Sequence, residues 1–144
     1  MVDDRLVSAM ALGADGVQLG GGRLPVREAR RGVGDMLLGA SVHSLDEAFC
    51  AEADGADYVV LGTIFETQSH PGKAAAGLSL VADVAAAVRI PVVAIGGINP
   101  GNAASVMAAG ASGVAVITAI QSTEDVAGAT RALLSAMRSG HGER

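Results

Sequence analysis

Gly96 and Gly97, at the end of Ile90-Pro91-Val92-Val93-Ala94-Ile95-Gly96-Gly97-Ile98-Asn99-Pro100, are the first candidates for ligand chemistry. Glycine lets a ligand approach the backbone closely and meet its amide N–H groups. A helix from about Gly101 to Ala109 is expected next, and its N-terminus would add free amides and the positive end of a dipole. The combination suits an anion, most simply a phosphate; the same residues would also make a tight βα turn with nothing bound. Thr118 and Ala119, after the following apolar run, ask only for backbone geometry and join them as phosphate-binding candidates. For proton transfer the candidates are His43, Glu66 and His70. His43 ends a strand, where it would face a site or cap the next helix. His70 lies in a long loop, where functional residues concentrate, and its near-neutral pKa suits acid–base work. As a bland alternative it is an exposed loop histidine. Glu66 is either a base or a surface charge beside Phe65. Asp4 reads first as a helix cap, and Cys50, mid-helix beside Phe49, as core.

Composition limits what these residues can serve. The chain has 144 residues, half of them hydrophobic, with 20 glycines and only three aromatics, Phe49, Tyr58 and Phe65. That is one domain's worth of sequence, with the Ala/Val/Gly richness of α/β proteins. A net charge of −5, with no Lys/Arg cluster beside aromatics, argues against a nucleic-acid surface. The single Cys50 excludes an internal disulfide and fits a reducing cytosol. No apolar run reaches the roughly 20 residues of a membrane span, and Asp3 and Asp4 fall where a signal peptide would be basic. A cytoplasmic protein acting on a small molecule is the expectation.

The elements that must position the candidates follow from a recurring unit. Gly13-Ala14-Asp15-Gly16-Val17-Gln18-Leu19, Gly55-Ala56-Asp57-Tyr58-Val59-Val60-Leu61 and Gly110-Ala111-Ser112-Gly113-Val114-Ala115-Val116 share one pattern. Each closes an Ala-rich helix with a glycine suited to the left-handed C′ position, then launches a short apolar strand. The expected order is a helix from about Arg5 to Leu12, capped by Asp3 or Asp4, then strand Gly16–Leu19. A helix starting at Pro25 and strand Met36–Val42 follow. Next comes a helix capped by Ser44, with Glu47 completing a capping box. After it come strand Asp57–Leu61, the long loop Gly62–Gly77 and helix Ser79–Val88. Beyond the Pro91–Ile95 strand and its helix come strand Gly113–Ala119 and a last helix from about Glu124 to Met137. Five strands each followed by a helix, with one helix ahead of them, mean a parallel doubly wound sheet or part of a (β/α)8 barrel. The polar tail from Ser139 is expected to fray.

Five segments in order carry a resemblance: Gly-Ala-Asp-Gly-Val-Gln-Leu (13–19), Ser-Val-His-Ser-Leu-Asp-Glu-Ala (41–48), Gly-Thr-Ile-Phe-Glu-Thr (62–67), Ala-Ile-Gly-Gly-Ile (94–98) and Ala-Gly-Ala-Ser-Gly-Val-Ala-Val-Ile (109–117). Over nearly its whole length the chain resembles the thiamine phosphate synthase and thiazole tautomerase (TenI-like) superfamily. The resemblance implies a (β/α)8 TIM-type barrel, N-terminally incomplete, of which residues 1–138 supply about five βα units, with 139–144 a flexible tail. It implies that the chain starts just after strand three, and it adds Gln18, Ser41, Thr67 and Ser69 to the substrate-binding candidates.

Two activities compete within that superfamily. Synthases join an aminopyrimidine pyrophosphate to a thiazole phosphate and hold Mg²⁺ with two aspartates. One of these matches Asp4, but Arg23 stands at the second position, and a guanidinium cannot ligate a metal. His70 replaces the synthase's pyrophosphate-binding lysine. Val17-Gln18-Leu19, Ser-Val-His-Ser and Phe-Glu-Thr look more like the tautomerase branch, although Thr63 replaces the histidine that some of its members carry. The leading expectation is therefore a TenI-like isomerase that aromatises thiazole phosphate carboxylate by proton transfer, without a cofactor. Thiamine phosphate synthase, with Mg²⁺, is the alternative, and a non-catalytic relic the third reading. The expected partner is a small phosphorylated thiazole, with neither nucleic acid nor membrane, and with a homo-oligomer left open.

Overall fold

The three repeats fold as the turns that lead from a helix into a strand. In the computed structural model Gly13, Gly55 and Gly110 take φ values of 62°, 100° and 112°, the left-handed conformation their position in the repeat calls for. The structure describes residues 2–3, 6–21, 24–67 and 75–141.

The elements alternate along the chain. They are β1 (Val2–Asp3), α1 (Leu6–Ala11), β2 (Gly16–Leu19), α2 (Val26–Val33), β3 (Leu37–Val42), α3 (Leu45–Ala53), β4 (Tyr58–Leu61), α4 (Gly77–Ala87), β5 (Val92–Ile95), α5 (Ala103–Ala108), β6 (Gly113–Ala115), α6 (Thr118–Gln121) and α7 (Val126–His141). All strands are parallel, and their spatial order is their chain order, β1 to β6. A doubly wound sheet reverses direction at a switch point; a sheet that never reverses is the arc of a barrel. The fold is accordingly part of a TIM-type barrel.

One face of the arc is sealed by helices. Val17, Leu19 and Leu38 pack with Ala9, Ala29 and Val33, while Ala40, Val42, Val59, Leu61, Val92 and Ala94 join the larger core under α3, α4, α5 and α7. The alternate residues, Gln18, Ser41, Tyr58, Val60, Val93 and Ile95, stay only half-buried on the concave face, where a barrel's interior lies. At the opposite end from the strand C-termini, Arg30 ties α2 to two turns. Its Nε donates to Gly55 O (2.9 Å), its Nη1 to Gly34 O (2.7 Å) and Met36 O (2.8 Å), and its Nη2 pairs with Asp57.

Several expectations are corrected. Asp3 is not a helix cap but the end of β1, a sixth strand too short for any periodicity to reveal; Asp4 lies outside the described residues. Cys50 is exposed, on the solvent face of α3. The capping box is altered: Ser44 Oγ accepts from Glu47 N (3.2 Å), but Glu47 Oε2 reaches the amide of His43 (2.7 Å), one residue earlier than Ser44. The strand expected to run to Ala119 stops at Ala115, and Thr118-Ala119 open the single turn α6. Residues 139–141, expected as part of a frayed tail, continue α7. Gly140 is buried, because its backbone approaches Ala104 and Met107 of α5 where a Cβ would overlap them.

Candidate functional site

The C-terminal ends of β3 to β6 enclose a cleft of about 170 Å³. Barrel enzymes place their chemistry at this end of the sheet. Of the residues expected in a site, Ser41, His43, Thr67, Gly96, Gly97 and Thr118 line the cleft together. Ala119 stands one residue further into α6, and the Glu66 side chain is exposed and outside the lining. Ser69 and His70 lie outside the described residues. The sequence reading missed Val60, Ile95 and Ile117, which form the apolar wall; Thr63, noted there only as a replacement for a histidine, lines the cleft as well.

The two glycines are required first by packing. Gly96 and Gly97 have φ of 104° and 63°, and the β4–α4 loop crosses directly over them. A Cβ on Gly97 would lie 2.5 Å from Glu66 O and 2.8 Å from Phe65 Cβ; one on Gly96 would lie 2.6 Å from Thr63 Cγ2. The crossing is fixed by Ile64 N donating to Ile95 O (3.0 Å) and Phe65 N to Gly96 O (3.0 Å). The far end of the long loop returns to the same place, through Ala76 N to Thr63 O (3.0 Å) and Gly77 N to Ile64 O (2.9 Å).

Asn102 then holds the turn after Gly97. Its Nδ2 donates to Gly97 O (3.0 Å) and its Oδ1 accepts from Asn99 N (2.9 Å), while Asn99 Oδ1 accepts from Gly101 N (2.8 Å). This turn delays α5 to Ala103, so the helix expected directly behind the glycines does not present its N-terminus to them. The one-turn helix α6 takes that place. Among the described residues, the amides of Gly96 and Gly97 donate to no other group, and Thr118 and Ala119 are the unsatisfied first turn of α6. An oxyanion bound between them meets backbone donors from two strand ends, the arrangement that phosphate sites in barrels use.

A second group of polar side chains lies lower on the concave face. Gln18 Nε2 donates to Ser41 Oγ (3.0 Å) and to Leu19 O (3.3 Å). Both partners accept, which fixes the amide's orientation and leaves Oε1 buried with no donor among the described residues. Gly39, opposite Gln18 on β3, has no room for a side chain: a Cβ would overlap Gln18 Oε1 and the Tyr58 ring. Because Ser41 Oγ accepts from Gln18, its own proton is free to point into the cleft. His43 is exposed and held by Glu47, with Nδ1 3.4 Å from Oε2.

Tyr58 titrates above its usual 10.0, because burial opposes the phenolate and the charge of Asp57 adds to the penalty. The phenol therefore stays a neutral donor at any physiological pH. A raised folded-state pKa means the unfolded chain loses its proton first. The stabilising contribution is intact below pH 10 and declines as pH rises through the folded-state value. Tyr58 is the only tyrosine and there is no tryptophan, so an ultraviolet titration reads this group alone. The phenolate transition should come above 10.0 in the folded protein and return to 10.0 in denaturant; identical midpoints would contradict the burial.

Comparison with known proteins gives the arrangement a family. Residues 1–120 match the profile of the thiamine monophosphate synthase family. The thiamine-phosphate synthase of Chloroflexus aurantiacus is 49% identical over 134 residues, covering 92% of this chain and 62% of the relative. That of Methanoculleus marisnigri is 51% identical over 138 residues, covering 92% and 64%. A solved thiamine phosphate pyrophosphorylase from Pyrococcus furiosus superposes with a TM-score of 0.87 at 43% identity, covering 98% of this chain and 68% of that one. The chain thus spans less than two-thirds of the length of the two curated relatives. Since the matched stretch takes in every strand of the sheet and the turn into α6, the chain belongs to the thiamine monophosphate synthase family.

Proposed function

We propose that the chain forms a thiamine phosphate synthase site, which joins an aminopyrimidine pyrophosphate to a thiazole phosphate. The observation that carries this is the pairing of two different subsites on one concave face. Backbone amides at Gly96-Gly97 and Thr118-Ala119 suit the thiazole's phosphate. Lower on the same face, outside the cleft lining, the buried and unpaired acceptor Gln18 Oε1 and the neutral phenol of Tyr58 would suit a ring that carries an amine beside ring nitrogens. Two subsites are what a two-substrate transfer needs. The naming of the relatives as synthases supports the same reading.

The isomerase expected from the sequence is less well supported. It needs a proton carrier at the cleft; Glu66 lies outside the lining, His43 lines it but is held by Glu47, and His70, the first choice for that role, lies outside the described residues. In the transfer, the bond from the pyrimidine's methylene carbon to the pyrophosphate oxygen breaks and the pair leaves with the oxygen. The thiazole nitrogen supplies the pair for the new C–N bond. Ser41 lines the cleft and its Oγ accepts from Gln18, so its own proton can donate to the departing pyrophosphate as its charge grows.

The donor set does not fit the Mg²⁺ that the resemblance implies. Among the described residues no group of three His, Cys, Asp or Glu side chains could hold an ion. Asp4 lies outside the described residues, and the second ligand position is Arg23, which offers only donors. No step is therefore assigned to a metal. Turnover of aminopyrimidine pyrophosphate with thiazole phosphate should persist in excess chelator, measured as pyrophosphate release; loss of activity with chelator and its return with Mg²⁺ would contradict this.

Calorimetric titration tests the site itself. Thiazole phosphate should bind, and the same thiazole without its phosphate should bind at least tenfold more weakly. Equal affinities would remove the phosphate subsite and the reading with it.

A further inference from the structure

Among the described residues, His43 is the only titratable side chain lining the cleft, and its ring is held by one nitrogen. Glu47 Oε2 accepts from the amide of His43 (2.7 Å) and lies 3.4 Å from Nδ1. Glu47 is itself fixed through its own amide, which donates to Ser44 Oγ (3.2 Å). A carboxylate has no proton to give. The proton of the neutral ring therefore sits on Nδ1, and Nε2 carries a lone pair. Between the two nitrogens, Cε1 is the corner nearest the β2–α2 loop, since a Cβ on Gly21 would lie 3.6 Å from it. Nε2 thus stands on the β2 side of the cleft, away from the amides at the ends of β5 and β6.

A second hollow, of about 220 Å³, lies on that side. Gly20, Gly21, Leu24, Pro25 and Val26 line it, and Ser41 lines both it and the cleft. Pro25 and Val26 begin α2, so the positive end of that helix borders the hollow. The amide of Gly21 donates to no other group among the described residues. With Ser41 Oγ–H it supplies neutral donors, which leave the charge of a diphosphate uncompensated. Glu47 is the charged side chain paired with His43, and Glu28 of α2 stays outside the lining of the hollow. Arg23, His70 and Lys73 lie outside the described residues.

We propose that His43 binds the pyrophosphate group as an imidazolium, so that the anion is taken up together with a proton on Nε2. This rests on the synthase reading and adds to it how charge is met where the donor set does not fit a metal ion. With Nδ1 committed to Glu47, a neutral ring turns a lone pair toward the oxyanion and repels it. Once protonated, Nε2 becomes a charged donor beside Ser41 Oγ–H and Gly21 N–H. The proton comes from solvent, and no bond of the ligand changes. By linkage, affinity is greatest where the ring is already protonated and declines as pH rises.

Inorganic pyrophosphate is the probe, added to the 144-residue chain without metal. Calorimetry at mildly alkaline pH, in two buffers of different ionisation enthalpy, should show proton uptake that His43→Gln abolishes. Subtracting the variant removes the ion's own protonation from the count. At mildly acidic pH His43→Gln should weaken binding about tenfold, and the gap should close as pH rises. Nitrogen NMR should place the proton of the free neutral ring on Nδ1, and protons on both nitrogens with pyrophosphate bound. No binding, the same proton balance in both chains, or a free ring protonated on Nε2 would each overturn the proposal. Each of those results leaves thiazole phosphate binding, and with it the synthase reading, to stand on its own test.

Discussion

Ser41→Ala should lower the rate of pyrophosphate release by about 10²-fold while leaving thiazole phosphate binding nearly unchanged. The hydroxyl accepts from Gln18 Nε2 at 3.0 Å, so it cannot spend its proton on that neighbour. Its hydrogen is left for the cleft, where the leaving group gathers charge only as the bond breaks. An interaction that grows in the transition state acts on turnover rather than on ground-state affinity. In the proposed site the phosphate of the thiazole would be held elsewhere, by the amides of the β5 and β6 turns. Single-turnover kinetics beside a binding titration separates the two. A variant that loses affinity and keeps its turnover would place Ser41 in the binding of the ground state instead.

Gly97→Val carries the second large effect, and the structure changes its meaning. From the sequence, a side chain at Gly97 would merely obstruct a bound phosphate and leave the fold intact. In the structure a Cβ there meets Glu66 O at 2.5 Å and Phe65 Cβ at 2.8 Å, in a backbone with φ of 63°. The substitution should therefore cost roughly 2–4 kcal/mol of stability. It should also free the β4–α4 loop from its crossing, so the cleft and thiazole phosphate affinity are lost together. Chemical denaturation reads the first and calorimetry the second. A variant of unchanged stability that merely binds less tightly would restore the simpler steric reading.

Much of the architecture was legible because local chemistry and global fold agree. Each Gly-Ala-Asp/Ser repeat ends a helix and begins a strand, Ser44 caps α3, and the strand at Gly16–Leu19 has the bounds its residues suggest. The misreadings have separate physical causes. A two-residue strand has no period to detect, which hid β1. The apolar run Val114-Ala115-Val116-Ile117 reads as one buried strand, and short apolar runs do not distinguish strand from helix, which hid α6. Asn99 and Asn102 spend their amides on the turn after Gly97, which moved the start of α5 away from the glycines.

In the cleft, Gly96, Gly97 and Thr118 could be placed from a backbone pattern and Ser41 from the resemblance, whereas Tyr58, lower on the same face, could be placed from neither. Gly96, Gly97 and Thr118 announce themselves by type and place. Tyr58 does not, because its importance comes from facing Gly39, and Gly39 matters only because Gln18 occupies the space its side chain would take. The bonds that Asp57 Oδ2 accepts from Leu38 N and Ser112 Oγ from Val92 N are hidden in the same way, since each is made to a strand about 20 residues earlier.

The central claim is that this cleft joins two substrates. The most direct measurement is product analysis after the chain is mixed with aminopyrimidine pyrophosphate and thiazole phosphate. Thiamine phosphate and pyrophosphate should appear in equal amounts, and neither should form when one substrate is left out. Conversion of thiazole phosphate carboxylate into its aromatic tautomer without any aminopyrimidine, and with no thiamine phosphate formed, would contradict the account and return the site to the isomerase.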